Sequence, residues 1–518
     1  MINIFFKIKM LFLTKNEKIF IGNNKLNIEG ILCEKKKTAL FIAHPDQFFL
    51  LYWKVLIKKI FKKKIYNVIG IWSLSVAVPQ KKKIQLIEVI IDKIKSIYHF
   101  FLKKKWTLLY KVAGIQKIFH VNDLPIKLNK KKIDLQVNQI LSNIKNKEDI
   151  LKIKLNNILV GDLIYDSYIR YRSKPTVDIE DTFFLKKLLF KSISNLALYN
   201  YLYKKFDIES LFTVYCVYLN FGLAVRFFLS KNVSVYSWST FAHNLKKIDS
   251  KFPYDENVLG FKKKFLNLKN KKKKIKFARD ELNKKFKNKL DISLQFAQPI
   301  LNINKKSLEY LKNINIYGVV FLHCFNDSAH YYGTKTIFCD HYDWAVFTLD
   351  LIKKNNLKIG VKTHPYALPE SKKIFAKLKL KYKSLVWLPE YVANIDIIKN
   401  PNINFFISNQ GSILYEAAYF GKTSISSGVN RTSSYNFSYN PKNVSEYKKL
   451  LLNLKKINIK KKNKLEICQI YYLSFMDNKN ILNTIVEKIQ LEKFNFKQFP
   501  KYYRNLNYFD NKINTILR

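Results

Sequence analysis

Long apolar runs, cysteine pairs, acidic residues and arginine are what this chain has little of, and each shortage excludes something. No uninterrupted stretch of about 18 apolar residues occurs, so no segment is expected to span a bilayer as a helix. The N-terminal MINIFFKIKMLFL is apolar, but it is broken by Lys7 and Lys9 and carries no small-residue cleavage site, so it reads neither as an anchor nor as a secretory signal. Five cysteines, Cys33, Cys216, Cys324, Cys339 and Cys468, show no CxxC spacing, which argues against a disulfide framework and a paired zinc knuckle and for a reducing compartment. These absences predict a cytoplasmic chain, with room for peripheral contact on the inner face of a membrane.

Acids are outnumbered 38 to 93 by lysine and arginine, a formal charge of +55. Such a surplus ordinarily suggests nucleic acid, whose binding neutralises many phosphates. Here the cations are overwhelmingly lysine, spread evenly with isoleucine, asparagine and phenylalanine as AT-rich coding would produce. RNA-binding proteins favour the planar fork of arginine. The charge is therefore read as solvated lysine faces with no nucleic-acid partner, compatible with an anionic membrane or a nucleotide-activated substrate.

What is present is apolar material, 48% of 518 residues with 15% aromatic, enough for two domains. TALFIAHPDQ, the lysine-studded segment after it and YNVIGIW read as a βαβ unit; SLFTVYCVYLNFGLAVRFFLSKNVSVYSW reads as another. From INIYGVVFLHCF onward strand and helix alternate regularly, through LKIGVKTHP and NINFFISNQ to TSISSG. The predicted fold is α/β, two Rossmann-like domains facing a cleft. Residues 1–250 form an N-terminal acceptor-side domain, 251–305 a basic helical linker, 306–460 a C-terminal nucleotide-sugar-binding domain, and 461–518 a helical tail packing back on the first.

Three loops after strands in the second half concentrate polar residues, and a doubly wound fold brings such loops to one sheet edge. FLHCFNDSAHYYG supplies His323, Asn326, Asp327, Ser328 and His330; GVKTHPYALPE supplies Lys362, Thr363, His364 and Pro365; FFISNQGSILYEAAYFGK supplies Ser408, Asn409, Gln410, Gly411, Ser412 and Glu416. Small polar residues before a helix either cap it or leave its N–H groups to an anion. His364, its turn stiffened by Pro365, could donate to a phosphate oxygen, and Glu416, one turn past Ser412, could accept ribose hydroxyls. The alternation in YIRYRSK places Arg170 and Arg172 on one face of an extended segment, toward an anionic substrate or water. His323, His330 and His341 with Cys324 and Cys339 lack the close ligand pairs of structural zinc, and no metal is expected.

VKTHP followed about forty residues later by ISNQGSILYEAAYFGK resembles the second domain of the bacterial capsule and surface-polysaccharide glycosyltransferases of GT-B architecture, including Kdo- and sialic-acid-transferring enzymes with a His-Pro motif. FLHCFNDSAHYYG and GDLIYDSYIRY are similar to segments the same family carries. The resemblance covers roughly residues 160–430. It implies that His364, with Lys362 and Pro365 beside it, and the turn from Ser408 to Ser412 hold the phosphate of a nucleotide-activated sugar, with a CMP-sugar favoured. The family's turn often has two adjacent Ser or Thr, whereas this chain has Ser408-Asn409-Gln410-Gly411-Ser412. The resemblance also implies a first-half base for the acceptor hydroxyl, for which Asp166 and His44 rank ahead of Asp46 and Asp162. The donor is a substrate, no separate cofactor is expected, and the acceptor would be a growing glycan or lipid-linked sugar. A non-catalytic scaffold of the same fold, holding a glycan or lipid carrier at the membrane, is the other class.

Overall fold

The structure is a computed structural model that describes residues 13–23, 32–34, 36–45, 49–50, 53–54, 56–57, 67–72, 103–125, 128–239, 244–287, 305–334, 336–365, 367–457 and 463–475. Its first half is built on β1 (Lys37–Ala43), β2 (Asn67–Trp72), β3 (Lys117–Phe119), β6 (Asp207–Thr213), β7 (Ser234–Ser239) and β8 (Asn244–Lys247), with β4 (Lys154–Leu155) and β5 (Ile158–Leu159) as a separate hairpin. The sheet order is β3-β2-β1-β6-β7-β8. The first five strands are parallel, and β8 runs antiparallel to β7. Residues 39 to 43 of β1 and 67 to 71 of β2 are all buried, as continuous apolar strands covered on both faces must be. Trp53 packs under the sheet and donates its indole N–H to the Ile42 carbonyl at 3.0 Å.

The second half contains β9 (Gly318–Phe321), β10 (Ile359–Lys362), β11 (Phe405–Ser408), β12 (Thr423–Ser426) and β13 (Ser438–Tyr439) in the order β10-β9-β11-β12-β13, all parallel. Each half is thus a Rossmann-like unit, as expected from the alternating strand and helix signals. Chain order reverses between β1 and β6 in one and between β9 and β11 in the other. Those reversals open crevices at the carboxyl ends of the strands, where open α/β sheets bind ligands.

Residues 257–287 are packed rather than free. The helices Phe261–Leu266 and Lys271–Phe286 bury Phe261, Phe265, Ala278 and Leu282, pairs four residues apart, against Ile467, Cys468, Tyr471 and Phe475. The last of these lie on the Lys464–Phe475 helix, so the described part of the C-terminal tail sits on the basic helices and the second half. The tail was expected to pack back on the first half over 461–518; its described helix packs on the basic helices and the Ile413–Tyr419 helix. Residues 476–518 lie outside the described residues, as does Asp46.

The halves meet through buried and half-buried polar pairs. Asp340 caps the His341–Lys354 helix with one carboxylate oxygen, accepting from the N–H groups of Tyr342 and Asp343. Its other oxygen accepts from Tyr165 Oη at 2.5 Å and Thr176 Oγ1 at 2.6 Å. Lys147 reaches Asp343 at 2.6 Å, and Arg431 makes a two-point pair with Glu256 at 2.9 and 3.0 Å.

Candidate functional site

The loop after β9 enters the crevice with His323, Asn326 and Asp327. Ser371 fixes it from below: its hydroxyl accepts from the Asn326 N–H at 3.2 Å and donates to the Asn326 side-chain oxygen at 2.8 Å. The loop after β10 brings His364 to 5.8 Å from the His323 ring, centroid to centroid. Behind them His341, the first residue of its helix, stacks on His323 at 4.1 Å, and the Asn409 amide donates to His341 Nδ1 at 2.9 Å. Three imidazoles from three elements therefore converge where β9, β10 and β11 end.

Burial governs their charge. It lowers His323 and drives His341 well below its ordinary value, with the neighbouring His323 and His330 pushing the same way. Burial, then His323, takes His364 down to about 4. The cluster is neutral at pH 7, and neutral imidazoles each offer one N–H donor.

The first half faces this cluster with a π-helical turn, Tyr218–Gly222, with four residues between it and the end of β6. Tyr218 has the left-handed φ of 56°, uncommon for a side chain of its size, and its hydroxyl donates to Asp327 Oδ1 at 2.9 Å. Gly222 lets that turn press on the Gly161–Arg172 helix; a Cβ there would fall 2.5 Å from both the Cys216 carbonyl oxygen and Leu163 Cδ2. Arg170 reaches the Asn326 carbonyl at 3.4 Å, and its charge acts on Asp327 and Tyr218. His44, following β1, lies 5.2 Å from the Phe221 ring, and burial lowers it to about 4. Among the described residues Asp327 Oδ2 takes no hydrogen bond, whereas Oδ1 accepts from Tyr218 and from Ser328 N.

Other expected site residues turn out to be committed elsewhere. Asp166 is 1% exposed. One of its oxygens accepts from the Ser328 hydroxyl and the His330 N–H, and the other pairs with His330 Nδ1 at 2.7 Å. Burial opposes a charge on His330, but Asp166 outweighs it and raises the imidazole above its ordinary value. This carboxylate ties the two halves and has no oxygen turned to an acceptor. Asp162 is likewise held in a two-point pair with Arg226, 2.5 Å on each side, with Tyr254 donating to it.

Arg170 and Arg172 do not share a face. Their segment is helical, capped by Ser173 at φ 54°, and two residues on a helix lie about 200° apart. Arg172 turns away and pairs with Asp181 at 2.6 Å.

The turn after β11 is built from its own side chains. Ser408 Oγ donates to the Phe321 carbonyl at 3.1 Å and accepts from Gly411 N at 3.3 Å, and Gln410 donates to the Ala329 carbonyl at 2.9 Å. Ser412 precedes the Ile413–Tyr419 helix without a side-chain capping bond and is exposed. Glu416 is only 7% exposed and pairs with Lys285 of the basic helix at 2.8 Å. Lys362 points to the carbonyls of Pro389 and Glu390, and burial lowers it to about 8. Pro365 is exposed at the lip.

Sequence reasoning left two contributors without a functional role. His341 was weighed only as a zinc candidate, although HYDW directly after Asp340 marks it as the first residue of a capped helix facing the loops. Tyr218 carried no signal beyond its place after a strand. Among the described residues no cluster of His, Cys, Asp and Glu has metal-binding geometry.

Several solved structures are similar in outline. They include UDP-GlcNAc 2-epimerase of Methanocaldococcus jannaschii in complex with UDP-GlcNAc and UDP, at 9% identity over 84% of this chain and 97% of that one, with a TM-score of 0.27. MurG of Acinetobacter baumannii matches at 9% identity over 88% and 99%, TM-score 0.25. A UGT transferase of Siraitia grosvenorii in complex with UDP matches at 9% over 91% and 100%, TM-score 0.23. No family model matches the chain, and no curated protein does. Likenesses this remote carry no argument about activity, and the two Rossmann-like units rest on their strand order.

Proposed function

We propose that this chain is a nucleotide-sugar-dependent glycosyltransferase whose donor phosphate lies between the His364 loop and the β11 turn. The observation that carries this reading is the convergence of His323 and His364, backed by His341 and Asn409, at the β9/β11 reversal and opposite Tyr218, Arg170 and His44. A neutral, half-buried imidazole donates to a phosphate oxygen without bringing a competing charge. The arriving anion favours protonated imidazole, so His364 gains basicity as negative charge grows on the leaving phosphate. The sugar would then face the first half.

With Asp166 consumed, the acceptor hydroxyl has two candidate bases. His44 remains, and Asp327, with one oxygen fixed by Tyr218 and the other unbonded among the described residues, joins it. The His-Pro resemblance favours a CMP-sugar as donor and a surface glycan as acceptor.

One observation favours the scaffold class instead. Glu416 and Lys362 both have protein partners already, as they would in a chain that keeps the fold without turnover. Incubating the protein with CMP-, UDP- and GDP-sugars and measuring nucleotide release separates the two. Release that depends on His364 supports the transferase, and nucleotide binding with no release on any acceptor supports the scaffold.

A further inference from the structure

Between Glu256 and Asp280 the chain carries nine lysines and one arginine and no acid. The structure arranges that charge on a rigid support. Phe261, Phe265, Ala278 and Leu282 hold the two basic helices down, Lys274 lies 5.4 Å over the Tyr472 ring, and the opposite face is left to solvent.

That outer face is not purely polar. Leu259 is 44% exposed, Leu266 54% and Phe277 40%. Leu259, Lys262, Lys263 and Leu266 follow the i, i+3, i+4, i+7 spacing of one helical face, and Lys269, Lys273, Lys276 and Phe277 continue the surface across the turn. Apolar prongs set among lysines match a bilayer surface, with apolar groups at the acyl boundary and ammonium groups at anionic headgroups. Nucleic acid would instead reward arginine forks and stacked aromatic rings, and residues 259–277 offer no arginine and one exposed aromatic, Phe277.

We infer that the face formed by residues 259–277 docks the protein on an anionic lipid bilayer. The attachment is peripheral: among the described residues no helix is long and apolar enough to cross a membrane. The docking helix also carries Lys285, paired with Glu416 beside the β11 turn, so a docked chain would hold its crevice at a fixed height above the lipid surface.

The test is co-sedimentation of the full chain with vesicles of phosphatidylcholine alone and of phosphatidylcholine with phosphatidylglycerol in equal parts, at low and high salt. Binding is expected on the anionic vesicles only, falling steeply with salt. Lys263→Gln, Lys269→Gln, Lys273→Gln and Lys276→Gln together should lower the partition coefficient by on the order of several hundredfold, about fivefold per lysine, with the urea midpoint unchanged. Leu266→Ser should weaken binding further at high salt, where the apolar prong carries more of the attachment. Equal binding to neutral vesicles, or wild-type binding by the fourfold variant, overturns the inference. So does retention of a single-stranded oligonucleotide by a chain that leaves anionic vesicles in the supernatant. Should the fourfold variant fail to fold, the contrast between neutral and anionic vesicles with the unaltered chain still decides.

Discussion

The rings of His323 and His341 lie stacked, their centroids 4.1 Å apart and their planes 29° from parallel. Two imidazoles in that position cannot both take a proton without facing like charge in a site that has little water to screen it. Their neutrality is therefore a product of the packing, and it extends to His364 on the next strand end.

These histidines make stability depend on pH. His323, His341, His364 and His44 all titrate below the ordinary value in the folded chain. The unfolded chain binds their protons near pH 6.5, so stability falls as pH drops from there toward about 4. His330, raised by Asp166, acts oppositely: its contribution is full below about 6.5 and fades as pH rises through its folded value. His120, which burial also lowers to about 4, joins the four lowered groups. The lowered groups outweigh the raised one, and the urea midpoint should be lower near pH 5 than at neutrality. His364→Gln should flatten that slope. An equal or higher midpoint in acid contradicts the assignment of neutral imidazoles.

His364→Ala should reduce turnover by roughly 10²–10⁴-fold while changing nucleotide affinity much less, because a donor to the departing phosphate acts mainly in the transition state. Steady-state kinetics beside calorimetric binding gives both numbers. A variant with weakened affinity and undiminished turnover makes His364 a simple binding contact.

Asp166→Ala should cost about 3–5 kcal/mol of stability, since it leaves Ser328 and a raised His330 buried without their partner. Denaturant unfolding reads this directly. A variant of unchanged stability and abolished activity would restore Asp166 to the list of bases.

Glu416→Gln should weaken nucleotide binding by about 1–3 kcal/mol if the carboxylate takes a ribose hydroxyl. Lys285→Met should leave that affinity nearly unchanged. Equal weakening in both variants would make the Glu416–Lys285 pair a brace for the turn and not a sugar contact.

The strand–turn–helix–strand at 404–428 was legible because short buried apolar runs separated by small polar turns leave little choice of element. GDLIYDSYIRYR misled on one point. Reading it by alternation put Arg170 and Arg172 together, although Ile164, Tyr165, Tyr168 and Ile169, all buried, already followed the 3.6-residue period. Asp166 was beyond reach for another reason: its partners lie 162 and 164 residues further along, and no local pattern announces a pairing made by domain docking. The same holds for Glu416, whose partner Lys285 comes from a segment that composition presents as a linker.

Nucleotide binding at the second sheet is the property on which the histidine cluster's role rests most directly. Isothermal titration of the full chain with CMP, UDP and GDP, repeated on a His323→Ala/His364→Ala variant, tests it in one series. One nucleotide should bind with a dissociation constant below about 1 mM and raise the melting temperature accordingly, and the double variant should lose both signals. Absence of heat with all three, or unchanged binding in the double variant, would contradict the claim that these histidines form a nucleotide site.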